Sequence, residues 1–395
     1  MNVDTMRSVD RFLGVPLCWI SGVWMQFLRR TSPPPNLNTV QRVVVIKFFG
    51  IGSILLTTPM LAALRSRNPD VHIMYLTFDH NREVLSKLTE NVTPLTISTS
   101  SLLSFLLDTV RAIRILRKFS AEIVFDLEFF SKFSTLLSAL AGSPYRTGFE
   151  LPARWRRWNI SHPVRLDHSM HVTGVFLAHV QQFGREHLNT PIHVECLPPT
   201  RGERSSLERV LGNFGDISDV ITININAGST SLDRRWAPER FAEAVRELAH
   251  TDSCRVFFFT GSPRERDYVT RVVTLLSSLG ARVVNIAGEF SFGELVALLE
   301  QSSLLITNDS GPMHVASALQ TPVVALFGPE TPQFYGPLGP SVLVYRELSC
   351  SPCLNVYNAK LFRCPYQARC MKEISVSEVV QAAERVLQQP VLQIS

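Results

Sequence analysis

The polar run Asn308-Asp309-Ser310-Gly311-Pro312, with His314 just beyond it, lies between the apolar residues 304–307 and 323–327. That order reads as a buried strand, a tight turn, a helix opened by Pro312 and a second buried strand. In a parallel sheet a ligand sits beyond the carboxyl ends of the strands, where a helix N-terminus offers unpaired N–H groups to an anion. Asp309, Ser310 and Gly311 occupy that place, so phosphate binding is the chemistry expected of them. Taken singly, Asp309 reads first as a helix N-cap and His314 as a core histidine.

Other chemistry-bearing residues also follow apolar runs. Gly50-Ile51-Gly52-Ser53 follows the strand-like residues 42–47, which end in Lys47, and a helix is expected over 54–65. Asp126 and Glu128 follow the strand at 121–125, and Asp79 and His80 follow the one at 71–76. Asn226-Ala227-Gly228-Ser229-Thr230 closes the strand at 220–225. Thr260-Gly261-Ser262-Pro263 closes the one at 255–259, and a further strand runs over 283–287. Small and polar residues at strand ends let a phosphate or ribose approach the backbone. Cys350, Cys353, Cys364 and Cys370 form a C-x2-C-x10-C-x5-C arrangement, which suits a structural zinc or iron–sulfur group, a disulfide hairpin or free thiols. His168 and His171 lie one helical turn apart with no recognisable further ligand, so no metal is expected there.

The elements that must position these residues alternate strand and helix, with helices over 101–119, 132–141 and 168–183, which implies mostly parallel sheets. At 395 residues the chain exceeds what one core usually fills. The expected division is a membrane-associating N-terminal segment and proline linker over 1–36, an acceptor-binding domain over 37–205, a nucleotide-sugar-binding domain over 206–345, and a cysteine-rich segment with a final helix packing back over 346–395. Residues 143–204 look irregular, and Arg154, Arg156 and Arg157 read as a solvated charge run.

Residues 12–28 hold seventeen positions without a charge, between Arg7/Arg11 and Arg29/Arg30. Pro16, two glycines, Ser21 and Gln26 make this a poor span, and no small-residue cleavage site follows. The favoured reading is an interfacial helix carrying Trp19 and Trp24, against a helix packed on the protein itself. The proline run at 33–35 is a stiff linker. The net charge of +5 and pI near 8.9 suit anionic substrates or an anionic membrane surface. No basic helix or aromatic RNA-binding signature accompanies that charge, so nucleic acid is not an expected partner. Seven cysteines without a paired framework indicate a reducing compartment.

Four stretches, IKFFGIGSILLTTPMLAALR, NAGSTSLDRRWAPERFAEAV, FTGSPRERDYV and NDSGPMHVASALQTPVVALFGPETP, together resemble glycosyltransferase family 9, the heptosyltransferase-like enzymes of lipopolysaccharide core assembly. The resemblance covers most of residues 42–386. It implies an α/β GT-B fold, two Rossmann-like domains facing a central cleft, with the acceptor on the first and a nucleotide sugar on the second. It further implies an inverting transfer from a nucleotide-diphosphate donor, ADP-heptose foremost, to an envelope glycolipid at the cytoplasmic side of the inner membrane. No metal or other cofactor is required for that chemistry. Ser229, Thr230, Arg234, Gly261, Glu265, Asp309, Ser310, Gly311 and His314 then hold the donor, Glu265 at the ribose and Arg234 where the family usually has a diphosphate-binding lysine. Lys47 and Gly52 fall on the acceptor side.

Ser53 stands where the family has the aspartate that deprotonates the acceptor, and a serine hydroxyl is a poor base at neutral pH. The expectation is therefore that Glu128, or less favourably Asp126, takes the proton while Ser53 positions the acceptor. Two alternatives stay open: a GT-B glycan- or nucleotide-binding protein with impaired catalysis, and a nucleotide-sugar epimerase.

Overall fold

The computed structural model describes residues 10, 12, 14–27, 35–88, 90–151, 154–184, 192–228, 231–358 and 362–388. Two compact units, Met1–His193 and Val194–Ser395, divide the chain.

The first unit carries a six-stranded sheet of β1 (Arg42–Ile46), β2 (His72–Phe78), β3 (Val92–Ile97), β4 (Ile123–Asp126), β5 (Tyr145–Phe149) and β6 (His162–Val164), in the order β3-β2-β1-β4-β5-β6. The second carries β7 (Val220–Asn224), β8 (Val256–Phe259), β9 (Val283–Asn285), β10 (Leu304–Asn308), β11 (Val323–Phe327) and β12 (Ser341–Tyr345), in the order β12-β11-β10-β7-β8-β9. Every pairing is parallel. The two sheets share one topology, in which the chain starts centrally, winds outward to one edge, and returns to build the other half. The points where it reverses lie between β1 and β4 and between β7 and β10, where an open α/β sheet leaves a crevice beyond its strand ends.

The central strands form for a simple reason. β7, β8, β10 and β11 are buried at every position, so their β-branched and aromatic residues meet helices on both faces. β5 and β6, Tyr-Arg-Thr-Gly-Phe and His-Pro-Val, have no apolar run, and they fall in the region expected to be irregular. They pair because β4 offers β5 a hydrogen-bonding edge and β5 in turn offers one to β6. The helix expected over 54–65 is instead two helices, Ile51–Leu55 and Thr58–Arg67. Thr57 and Thr58 turn their hydroxyls back to the carbonyls of Ile54 and Leu55, at 2.7 and 2.9 Å, and Pro59 has no N–H to continue the ladder.

Residues Gly14–Phe27 form a helix that packs on its own unit with one face. A Cβ on Gly22 would lie 2.8 Å from Trp158 Cβ, Ser21 Oγ donates to Asn159 Oδ1 at 2.8 Å, and Trp19 meets Trp158 edge-on at 4.7 Å. The opposite face is exposed, so the protein-packed reading describes the inner side of the helix. No helix among the described residues is long and apolar enough to cross a membrane. The flanking Arg29 and Arg30 and the prolines at 33 and 34 lie outside the described residues. The last helix, Val376–Gln388, returns to the second unit, where Glu384 pairs with Arg255 at 2.7 Å.

Candidate functional site

In the second unit the sequence-predicted residues that are described follow the ends of β7, β8 and β10. Ser310 is the N-cap of the helix Gly311–Ala318, but its hydroxyl makes no cap bond. It turns instead to Thr307 Oγ1 at 2.8 Å and takes a bond from Asn224 Nδ2 at 2.7 Å. Pro312 has no N–H, so the opening turn offers the N–H groups of Gly311 and Met313 without side-chain competition, at the positive end of the helix dipole. Asp309, 5% exposed, accepts from Arg234 Nη1 at 2.8 Å, and Arg234 Nη2 donates to Ala227 O at 2.5 Å. His314 is buried in the first turn of that helix. Ser229 and Thr230 lie outside the described residues.

The loop after β7 carries a group of polar atoms without partners. Asn226 Oδ1, Ser231 Oγ, Arg234 Nε and Arg235 Nε are buried and have no hydrogen-bond partner among the described residues. Orphaned buried polar atoms are costly, and a polar ligand relieves that cost. Two of the four are arginine nitrogens, which are donors only and suit an anion. Gly261 approaches this loop closely: a Cβ on it would meet Asn226 Nδ2 at 2.9 Å. Glu265 accepts from Ser262 N and Oγ at 2.9 and 2.8 Å, closing a capping box, and lies 3.7 Å from Arg235, which stacks on Tyr268 at 4.6 Å.

Sequence reasoning missed Glu330, which follows Gly328-Pro329 at the end of β11. It is 6% exposed, and its Oε1 accepts from Thr331 N at 3.2 Å. Burial, then the charge of Asp309, pushes its carboxyl up to about 8, against the opposing pull of Thr331 N and Arg234. The available signal was an acid directly after Gly328-Pro329, at the close of a buried-strand run. Asn224 was missed too, and Asn308 was read only as part of the turn. Asn308 Oδ1 accepts from Trp236 N at 3.0 Å and its Nδ2 donates to Ile225 O at 2.9 Å, tying β10 to the loop that presents Arg234. Trp236, read as packing, is fully buried and donates to Ile374 O at 3.0 Å.

In the first unit Lys47, Glu128 and the glycine turn meet at the ends of β1 and β4. One oxygen of Glu128, Oε1, accepts from Lys47 Nζ at 2.9 Å, Phe48 N at 2.7 Å and Phe49 N at 3.1 Å. Burial alone would raise this carboxyl, but the Lys47 charge and hydrogen bond and the two backbone N–H groups hold it below the usual carboxylate range. Glu128 thus clamps the strand end that leads into the turn. Lys47 Nζ also donates to Phe49 O at 2.9 Å. Gly50 at φ +85° occupies the left-handed region, which starts the helix bearing Gly52 and Ser53. Gly52 is buried and Ser53 half-buried.

Asp126 is held differently. Arg156 Nη2 donates to Asp126 Oδ2 at 2.8 Å and to Glu128 O at 2.6 Å, and its Nη1 donates to Phe129 O at 2.6 Å. Burial raises the Asp126 carboxyl against the pull of Arg156. This corrects the solvated reading of the charge run: Arg157 is exposed, but Arg156 is 1% exposed and organises the β4 end. A sequence run of charges shows no burial, and the side chains alternate direction around a single helical turn. Asp79 accepts from Ser98 Oγ at 2.9 Å.

Cys350, Cys353, Cys364 and Cys370 line one cavity of about 100 Å3 with Phe362, Tyr366 and Arg369, and all are free thiols. Burial, followed by the neighbouring thiols, pushes Cys353 up to about 11. Among the described residues no group of three or more His, Cys, Asp or Glu side chains is arranged to hold a metal ion, so the four thiols share a cavity without forming a ligand set.

Comparison with known proteins identifies the family and the fold. Residues 109–361 match the family described as "Glycosyltransferase family 9 (heptosyltransferase)". The "Lipopolysaccharide heptosyltransferase 2" of Escherichia coli strain K12 is 30% identical over 228 residues, 55% of this chain and 62% of that protein, so the chain spans less than two thirds of that relative's length. The crystal structure of a family 9 glycosyl transferase from Veillonella parvula superposes with a TM-score of 0.72 at 26% identity, covering 90% of this chain and 99% of that one. The structure of E. coli "ADP-heptose lps heptosyltransferase II" superposes at 0.68 and 21% identity, covering 88% and 98%, a likeness of fold.

Proposed function

Because this chain belongs to glycosyltransferase family 9, the heptosyltransferases, with the paired parallel sheets of a GT-B fold, we propose that it transfers a heptose or related hexose from a nucleotide diphosphate to a lipopolysaccharide-core or similar envelope glycolipid. The observations that support this reading are the uncapped helix N-terminus after β10, the Arg234–Asp309 pair beside it, and the partnerless arginine nitrogens of the loop after β7. ADP-heptose is the foremost donor, the compound named for the E. coli relative of the same fold.

The acceptor hydroxyl attacks the anomeric carbon, the carbon–oxygen bond to the diphosphate breaks, and configuration inverts. Negative charge develops on the leaving diphosphate, where fixed N–H dipoles and a guanidinium stabilise it without a metal. Arginine at 234 grips two phosphate oxygens through its planar fork. Glu265 holds the ribose. Glu128 accepts the acceptor's proton; Lys47 keeps it ionised at neutral pH, and Ser53 and Gly52 position the sugar. Asp126 orients the Glu128 strand end through Arg156. The protein works at the cytoplasmic face of the inner membrane, held there peripherally.

Labelled nucleotide sugars incubated with the protein and a membrane glycolipid extract separate this reading from its rivals. Transfer supports it. Epimerised donor with no transfer, or donor binding with neither, replaces it by the epimerase or the binding-protein reading.

A further inference from the structure

Two helices of the first unit bury one face and leave the other apolar and exposed. On the helix Leu102–Phe119, Ala112 and Leu116 face the core, whereas Leu103, Leu107 and Val110 lie on the outer stripe at helical spacing, Leu103 being 67% exposed. On Gly14–Phe27 the outward residues are Ile20, Trp24 and Phe27, the last 83% exposed. Scattered exposed apolar residues need no explanation, but contiguous stripes on neighbouring helices mark a docking surface.

The two helices are neighbours on one layer. Both lie against the helix Lys132–Leu140. At its start, Asp10 accepts from Phe133 N at 2.9 Å just ahead of the N-terminal helix, and Phe105 of the other helix packs on the Phe133 ring at 5.0 Å. At its end, Arg117 Nε donates to Leu140 O at 2.9 Å, and Trp24, Met25, Arg117 and Leu140 line one cavity of about 350 Å3. The three helices therefore run side by side in one direction. No residue of Lys132–Leu140 is fully exposed, so the outer two form ridges flanking it.

Charge decides what covers this face. On Leu102–Phe119 the apolar stripe continues into exposed Arg111, Arg114 and Lys118, none of which has an ion-pair partner among the described residues. The helix's one acid, Asp108, is turned away to accept from Ser98 N at 3.0 Å. Leucines beside outward-facing arginines and lysine match a bilayer interface with anionic phosphates. A second copy of the chain fits less well, because a two-fold contact brings each basic row against itself.

We propose that the outer faces of Gly14–Phe27 and Leu102–Phe119 form one membrane-docking surface, whose apolar side chains enter the interface of an anionic bilayer while Arg111, Arg114 and Lys118 meet lipid phosphates. This deepens the peripheral-membrane reading by naming its surface, and it predicts a shallow, salt-sensitive attachment. The place of Leu102–Phe119 in it was not legible as a membrane element, because the segment reads as an ordinary amphipathic helix until its buried face is known.

The test is co-sedimentation of the full chain with vesicles of phosphatidylcholine, with and without about one-third phosphatidylglycerol, at low and high salt. The protein is expected to bind the anionic vesicles and to be released by salt. Leu103→Glu/Leu107→Glu, at exposed positions, should weaken binding by about tenfold or more with unchanged thermal unfolding, and Arg111→Glu/Arg114→Glu should abolish the preference for anionic lipid. As a second reading of the surface, brominated acyl chains should quench a component of tryptophan emission that is missing in Trp24→Phe. Wild-type binding by the double leucine variant, unquenched Trp24, or self-association without vesicle binding overturns the proposal. None of these readouts involves transfer, so a failed transferase assay leaves the docking result standing, and the reverse also holds.

Discussion

Replacing Glu128 by Gln separates the structural and the chemical work of one buried carboxylate. The Lys47 and Glu128 side chains are 3% and 6% exposed, and the carboxylate oxygen serves Lys47 Nζ and two backbone N–H groups. A glutamine oxygen can still accept from Phe48 N and Phe49 N. It can still accept from Lys47 Nζ but cannot neutralise it, and the other partners of Lys47, Phe49 O at 2.9 Å and the Phe129 ring at 5.9 Å, carry no charge. Stranding one charge of a buried pair costs about 3–5 kcal/mol. For a unit of this size each kcal/mol lowers Tm by about 2–4 °C, so the first unit should melt about 6–20 °C lower. Removing both charges, Lys47→Met with Glu128→Gln, should restore most of that loss, because a pair replaced by neutral groups is often close to isoenergetic. Thermal unfolding by circular dichroism measures the four corners of the cycle. A Glu128→Gln protein as stable as wild type refutes the ion-pair reasoning. Assayed well below its own Tm, the same variant should bind donor nucleotide yet transfer no sugar; transfer at the wild-type rate removes Glu128 from the chemistry.

Other predictions follow from the same geometry. Arg234→Ala removes the partner of buried Asp309 and a charge-assisted bond to the diphosphate, so the dissociation constant for the nucleotide diphosphate should rise about 10- to 100-fold by calorimetry, with Arg234→Lys intermediate and an unchanged constant counting against the site. Glu330 holds its proton in the folded state up to a pH of about 8, against an ordinary value of 4.5, so its contribution to stability is present below pH 4.5 and lost as pH rises through about 8. Glu330→Gln should flatten that decline in unfolding experiments on the second unit, and an unaltered pH profile contradicts the assignment. Gly22→Ala places a Cβ 2.8 Å from Trp158 Cβ, a position with little freedom to move, and should destabilise the docking of the N-terminal helix by about 1–3 kcal/mol, read as earlier proteolysis of that helix.

Much of this protein was determined by its sequence. The apolar runs ending in small or polar residues identified the central strands and their ligand-facing turns, because a parallel strand buried on both faces must be continuously apolar and its carboxyl end must leave room for a ligand. The run from Asn308 to His314 announced a strand end followed by a helix start, and both form there, since helix-start chemistry is local and can be read over five or six residues. Tertiary structure decided what depends on residues distant in sequence. Arg156 looked like one of several solvated arginines and is a buried partner of Asp126, thirty residues away, because burial is set by the packing around a residue and not by its neighbours in the chain. Glu128 could be picked out as a carboxylate at a strand end. Its three donors come from the end of β1, eighty residues earlier, and only that convergence shows a clamp whose charge depends on Lys47. β5 and β6 lack any local signal and exist because β4 presents an edge to β5, and β5 to β6. The orphaned donors after β7 and the neutral acid at Glu330 belong to the same class, since a missing partner and a shifted proton are properties of an environment assembled by the fold.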